Sequence, residues 1–212
     1  MTDTTALLRL MSWLSPVFPT GGFAYSAGLE QAVAGQLVTD QQSLEDWIKL
    51  SISNGSLWND AVIFCAAHRG EDVAELCLAL CNAAERRKEM LDQGAAFYDA
   101  ATHWFEETAL SSRETPLPVL VAQAAALADI DAQSAIAAYL HTFASNQLQC
   151  SIRLSVTGQN GAAQILAGLE PHIQEAAKRA TTSTLDDLGT LTFMADIAAM
   201  NHETLQPRLF LS

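Results

Sequence analysis

A chain of 212 residues that is 50% hydrophobic, with a formal net charge of −13, can bury one sizeable core, roughly 70% of its unfolded surface, and is expected to form one domain over residues 1–212. That charge argues against nucleic-acid binding, which needs a clustered basic face, and no stretch approaches the ~18 unbroken apolar residues of a membrane span. The opening MTDTTALL carries Asp3, no basic region and no long apolar run, so a soluble, cytoplasmic chain without a secretory leader is expected.

Taken in order, apolar residues recur at i, i+3 and i+4 and rarely alternate, which predicts an all-α, single-domain bundle of about 8–10 helices. Leu7, Leu8, Met11 and Leu14 make a short first helix. Trp13 to Glu30, WLSPVFPTGGFAYSAGLE, then interrupts the pattern. Pro16 and Pro19 fix their own φ and push Ser15 and Phe18 toward extended backbone, while Gly21-Gly22 allows a sharp turn. Phe18, Phe23 and Tyr25 sit among these breakers. A Pro/Gly-rich ordered turn feeding a helix from about Phe23 to Gly35 is expected, serving either as a buried connector or as a surface where a partner reads the aromatics. A phosphate cradle is excluded, because no Lys-Ser/Thr pair follows the glycines.

Ser43-Leu44-Glu45-Asp46 has the form of a capping box and predicts a helix with Leu44, Trp47, Ile48 and Ile52 inward, ending at Asn54-Gly55. A helix from Ser56 to about Arg69 follows, with Gly70 as its stop. Val73 to Leu80 is helical again, and a long amphipathic run extends from Ala83 to Leu110. Gly94 interrupts that run at a cost of about 1 kcal/mol against Ala, which marks a close helix–helix approach or a joint. The basic cluster Arg86-Arg87-Lys88 is flanked by Glu85 and Glu89 at pairing distance, the pattern of a solvated helix face. His103 and Glu107 lie one turn apart beside Glu106, without a third ligand nearby in sequence, and read as exposed helix surface.

Ser111 to Pro118 is a loop or hinge between two helical sets. Val119–Ala128 and Ala132–Val156 are Ala-rich helices, the second striped by Ile136, Leu140, Phe143 and Leu148. Gly158 fits a helix C-terminus, and Glu170-Pro171 is expected to end or kink the next helix. Pro207 stops the last helix and leaves an extended tail within 204–212. Burying Leu209, Phe210 and Leu211 would gain about 1.5–3 kcal/mol each, against about 1–2 kcal/mol for each ordered backbone residue. The sums nearly cancel, so the tail is expected to be loose alone and ordered by a partner's groove.

No catalytic constellation emerges. There is no GxSxG, HExxH or paired CxxC; Cys65 and His68 could touch on one helix, but such a pair usually reflects packing. Cys77 and Cys81, one turn apart, could share a metal only if other ligands joined them. All four cysteines fit a reduced apolar core. Asp129/Asp131 and Asp186-Asp187 read as helix starts or solvated turns. No metal site, cofactor or enzymatic activity is expected.

Several segments resemble the urease accessory protein UreF family: Leu14-Ser15-Pro16, Phe18-Pro19, Gly21-Gly22-Phe23, Tyr25-Ser26 and Gly28-Leu29-Glu30 near the start. Gln93-Gly94, Arg153-Leu154 with Gly158-Gln159, and a closing Asp196-Ile197, Met200, His202-Glu203 and Arg208-Leu209-Phe210 add to them. Ala27 and Leu211 stand where the family commonly has His or another polar residue, and Arg. The resemblance implies an all-α cytoplasmic protein, commonly a homodimer, that binds the accessory protein UreD/UreH. With it the protein recruits and regulates the GTPase UreG while nickel enters apo-urease. On that view Arg208, Leu209 and Phe210 form a docking tail whose base is fixed by His202 and Glu203. Phe18, Phe23, Tyr25, Ser26 and Glu30, with Gln159, form a second partner surface. A generic helical adaptor and a thiol- or metal-dependent helical enzyme built on Cys65 and His68 are the alternatives.

Overall fold

The computed structural model describes residues 3–106 and 108–212, and every regular element among them is helical. The ten α-helices are α1 (Thr4–Trp13), α2 (Leu29–Ala34), α3 (Gln41–Asn54), α4 (Ser56–His68), α5 (Ala74–Ala79), α6 (Ala84–Ala101), α7 (Leu117–Leu127), α8 (Ala132–Arg153), α9 (Gln159–Thr182) and α10 (Phe193–His202). Two 3-10 turns, Gly22–Ala24 and Leu185–Asp187, complete the set. The all-α single-domain expectation matches this architecture. Of the ligand-like trio, Glu107 lies outside the described residues.

At the centre stands α4, whose residues from Leu57 to Ala67 are all buried. Apart from Asn59 and Asp60 this buried run is apolar, as a helix enclosed on all sides must largely be, and α4 packs against α3, α7, α8 and α9. The Ala-rich α7 is buried along most of its length, and α6 packs on it. Gly94 explains how closely. A Cβ there would lie 2.2 Å from the Thr115 carbonyl oxygen and 3.1 Å from Leu117 N, so this glycine marks a close approach rather than a joint.

Local signals misplace several boundaries. The turn after Gly21 makes only the 3-10 segment; Tyr25 is extended and Ala27 and Gly28 take φ of 50° and 84°, so α2 starts at Leu29, not Phe23. Asp40, rather than Ser43, caps α3, with Ser43 returning the bond in a capping box. Gly158 opens α9 instead of closing α8, which ends at Arg153 with Ser155 left-handed at φ 61°. Nor does Pro171 end α9. Its missing N–H would have met the carbonyl of Ala167, and both residues are exposed, so that oxygen is open to solvent and the proline is tolerated. In α1 the buried face is Ala6, Leu10 and Trp13, while Leu7, Leu8 and Met11 point to solvent. The basic cluster of α6 is a solvated face only at Arg87 and Lys88, which are exposed. Arg86 and Glu89 are buried, because Asp60 of α4 supplies a second carboxylate for the guanidinium.

Two helical glycines should respond oppositely to alanine. At Gly168 of α9 the nearest atom to an added Cβ is Glu45 Oε1 at 3.5 Å, so Gly168→Ala should stabilise by up to about 1 kcal/mol. Gly94→Ala forces α6 from α7 and should cost about 1–3 kcal/mol. Thermal melts of the two variants, one raised and one lowered by several degrees, check this.

Candidate functional site

The N-terminal turn, the start of α6, one face of α8 and the C-terminal tail meet around the side chain of Glu30. Glu30 is buried in the first turn of α2, where helix N–H groups favour an acid. One carboxylate oxygen accepts the Leu209 N–H at 2.7 Å. The other accepts the Phe210 N–H at 3.0 Å and lies 3.1 Å from His202 Nε2. The opposite ring nitrogen, Nδ1, lies 2.7 Å from Glu85 Oε2 of α6. Ionised carboxylates only accept, so His202, fully buried at 0% exposure, satisfies both when both its nitrogens donate. Glu85 also pairs with Arg208. Glu203, next to His202, accepts the N–H of Ala84 at 2.9 Å and caps α6.

Beyond Phe210 the tail runs beside the N-terminal turn. Leu211 N donates to Ala24 O at 2.8 Å and Ser26 N donates to the main-chain oxygen of Ser212 at 2.8 Å. The Ser26 hydroxyl donates to that same oxygen, and Ser212 Oγ donates to Glu89 Oε2 at 3.2 Å. The turn is held from behind by α8. Asn146 and Gln147 donate to the carbonyls of Tyr25 and Ser26 at 3.0 and 2.7 Å, the Cys150 thiol points at Tyr25 O, and Arg153 donates to Phe23 O at 2.9 Å. Arg153 also lies 4.1 Å above the Phe210 ring, a cation–π contact. Tyr25 donates to Asp92 at 2.9 Å; that bond and burial push its phenol well above its ordinary range.

The tail expected to be loose is therefore docked on its own chain. The apolar estimate omitted the buried acceptors: hydrogen bonds to a charged group contribute about 1.5–3 kcal/mol each, and Glu30 accepts two from tail amides. Of the three apolar residues only Phe210 is buried, at 2%, while Leu209 and Leu211 remain 60% and 53% exposed. In the turn, Phe18, Tyr25 and Ser26 are buried and Phe23 is 67% exposed. Phe18 packs on Phe97 and Trp104 at ring-centroid distances of 5.3 and 5.8 Å. The structure thus brings together Tyr25, Ser26, Glu30, His202, Arg208, Leu209 and Phe210, with Glu203 at the edge. Gln159 stands apart, exposed at the first position of α9. Of the α8 face only Arg153 lies in a family-like motif; local motifs did not single out Asn146, Gln147 and Cys150 for this role, although Asn146, Cys150 and Arg153 recur at helical spacing.

Nothing in the thiol-enzyme alternative gains a partner here. Burial pushes the Cys65 thiol up to about 11, and His68 Nε2 lies 2.8 Å from the Ile130 carbonyl instead. Among the described residues no three His, Cys, Asp or Glu side chains are arranged to hold a metal ion. The buried Asp60–Arg86–Glu89 group spans α4 and α6; desolvation pushes the Asp60 carboxyl up to about 6 against the opposing pull of Arg86.

Removing the central acceptor should free the tail. Glu30→Ala is expected to speed amide hydrogen exchange at Leu209 and Phe210 by orders of magnitude while far-ultraviolet circular dichroism stays unchanged, with Glu30→Gln intermediate. Unaltered exchange in Glu30→Ala would show that the carboxylate does not hold the tail.

Comparison with known proteins places the chain. Residues 38–170 match the UreF family model. "Urease accessory protein UreF 1" of Brucella abortus biovar 1 (strain 9-941) is 50% identical over 220 residues, covering 99% of this chain and 95% of that protein. The proteins named urease accessory protein UreF from Rhizobium johnstonii and Rhizobium etli are 47% and 46% identical, each across 99% of this chain and 98% of their own length. With its two ends, α6 and α8 joined around one buried carboxylate, the chain belongs to the urease accessory protein UreF family.

Proposed function

We propose that this protein is a non-catalytic scaffold which, with UreD/UreH, recruits and regulates the GTPase UreG during nickel insertion into apo-urease, in the cytoplasm and as a homodimer. Family membership supports the urease setting. One structural observation supports a docking role: apolar side chains stand open to solvent on α10 and on the tail that follows it. Phe193, Met194, Ile197 and Met200 are 68, 55, 46 and 46% exposed, and Leu209 and Leu211 accompany them. Exposed apolar groups in this number mark contact surfaces in soluble proteins, and no helix among the described residues is long and apolar enough to cross a membrane.

Roles within the site divide by exposure. Leu209, Leu211 and Phe23 can touch UreD/UreH directly, and Arg208 is partly open. Phe210, His202, Glu30, Ser26 and Tyr25 are buried and act by holding the tail in the shape a partner meets. Phe18 belongs to the same buried support, Glu203 anchors the base of the tail, and Gln159 offers a separate exposed contact.

Tagged chain should capture UreD/UreH, and truncation after Thr204 should abolish capture. Leu209→Asp should weaken capture about tenfold or more, as for a contact residue, without changing amide exchange in the tail. Phe210→Ala should weaken capture and raise that exchange. Undiminished capture by the truncated chain would move the contact away from the tail, and no capture by the full chain would overturn the scaffold assignment.

A further inference from the structure

The end of α5 and the second turn of α6 bring three sulfur atoms together. Cys77 Sγ lies 3.7 Å from Met90 Sδ, and Cys81 Sγ lies 3.8 Å from the same sulfur. Both thiols thus face one thioether. The three residues line a void of about 10 Å³ together with Asp60 and Arg86, close to the space that one water molecule occupies. Cys77 and Met90 are buried and Cys81 is partly exposed.

We infer that Cys77, Cys81 and Met90 form a three-sulfur site for one soft monovalent cation of the Cu(I) class. Thiolate and thioether ligands select such ions over harder ones. An ion bound to three sulfurs in a plane at about 2.3 Å holds those sulfurs about 4 Å apart, and the two thiol–thioether separations, 3.7 and 3.8 Å, are close to that. Binding replaces the two thiol protons, which leave to solvent, and gives a complex of charge −1; the Arg86 guanidinium lines the same void, already paired with Asp60 and Glu89. Ni(II) and Zn(II), which prefer more ligands or nitrogen donors, should be held poorly.

The test is titration of the full chain with Ag(I), a redox-inert probe of the same class, in the presence of a thioether competitor. Native mass spectrometry and ultraviolet charge-transfer absorption read the bound ion. One Ag(I) should be retained by the unaltered chain. Retention should be lost in Cys77→Ser and in Cys81→Ala, the latter at the more exposed position and serving if the former fails to fold. Met90→Leu, similar in volume, should weaken binding by about tenfold or more, the scale on which a supporting group of a metal site acts, with helicity unchanged. Equal retention in Met90→Leu would remove the three-sulfur site. Equal retention in both cysteine variants would place the ion on Cys65 or Cys150, and no retention by the unaltered chain would overturn the proposal outright.

Discussion

A carboxylate buried with nothing to accept would cost several kcal/mol, and Glu30 avoids that cost only by drawing in groups from the far end of the chain. Two of its bonds come from residues 179 and 180 positions away. Its third neighbour, His202, reaches across to α6. The fold of the N-terminal turn, the start of α6 and the tail are therefore conditions on one another. The turn and the tail are too short or too irregular to hold their shape alone, and the carboxylate ties them to α6 through His202.

The rest of the site supplies the polar counterpart of a core. Carbonyls of the turn that would be orphaned by its irregular backbone are met by donors from a single face of α8, which satisfies the rule that buried main-chain groups find partners. The irregularity is also what allows the tail to lie beside it: extended Tyr25 and left-handed Ala27 and Gly28 expose Ala24 O and Ser26 N sideways. A continuous helix from Phe23 would have used those groups internally. Gly28 has a second reason to be glycine, since an added Cβ would lie 3.1 Å from the backbone of Ala199 in α10.

What could be read from the sequence was periodic; what could not was long-range. The helical class and the positions of α4 and α7 follow from patterns within a few turns, which also mark Gly94 as either a close approach or a joint. Glu85, Arg86 and Glu89 show the limit of such patterns, because an i, i+3 pair looks the same on a wet face as beside Asp60. Tail docking was misjudged for the same reason: a local tally of Leu209, Phe210 and Leu211 contains no term for an acceptor at position 30. Glycine and proline carry ambiguous boundary signals, as Gly158 and Pro171 illustrate, since a glycine suits either end of a helix and a proline is tolerated where its missing bond faces water. The closing motifs carried family resemblance, but geometry alone distinguishes the residues that face outward, such as Leu209, from those that hold them.

Helix α6 has an unusual set of obligations along its length. Its first turn meets Glu203, His202, Arg208 and Asp60, the next meets Ser212 and the thiols of Cys77 and Cys81, and Gly94 touches the backbone before α7. A slip of one residue would turn the helix by about 100° and break every one of these contacts together. α6 is consequently locked in rotation and in register, like a key with all its teeth engaged. A push on it at the sulfur cluster can be taken up only by displacement of the whole rod, which would carry the tail's anchors with it.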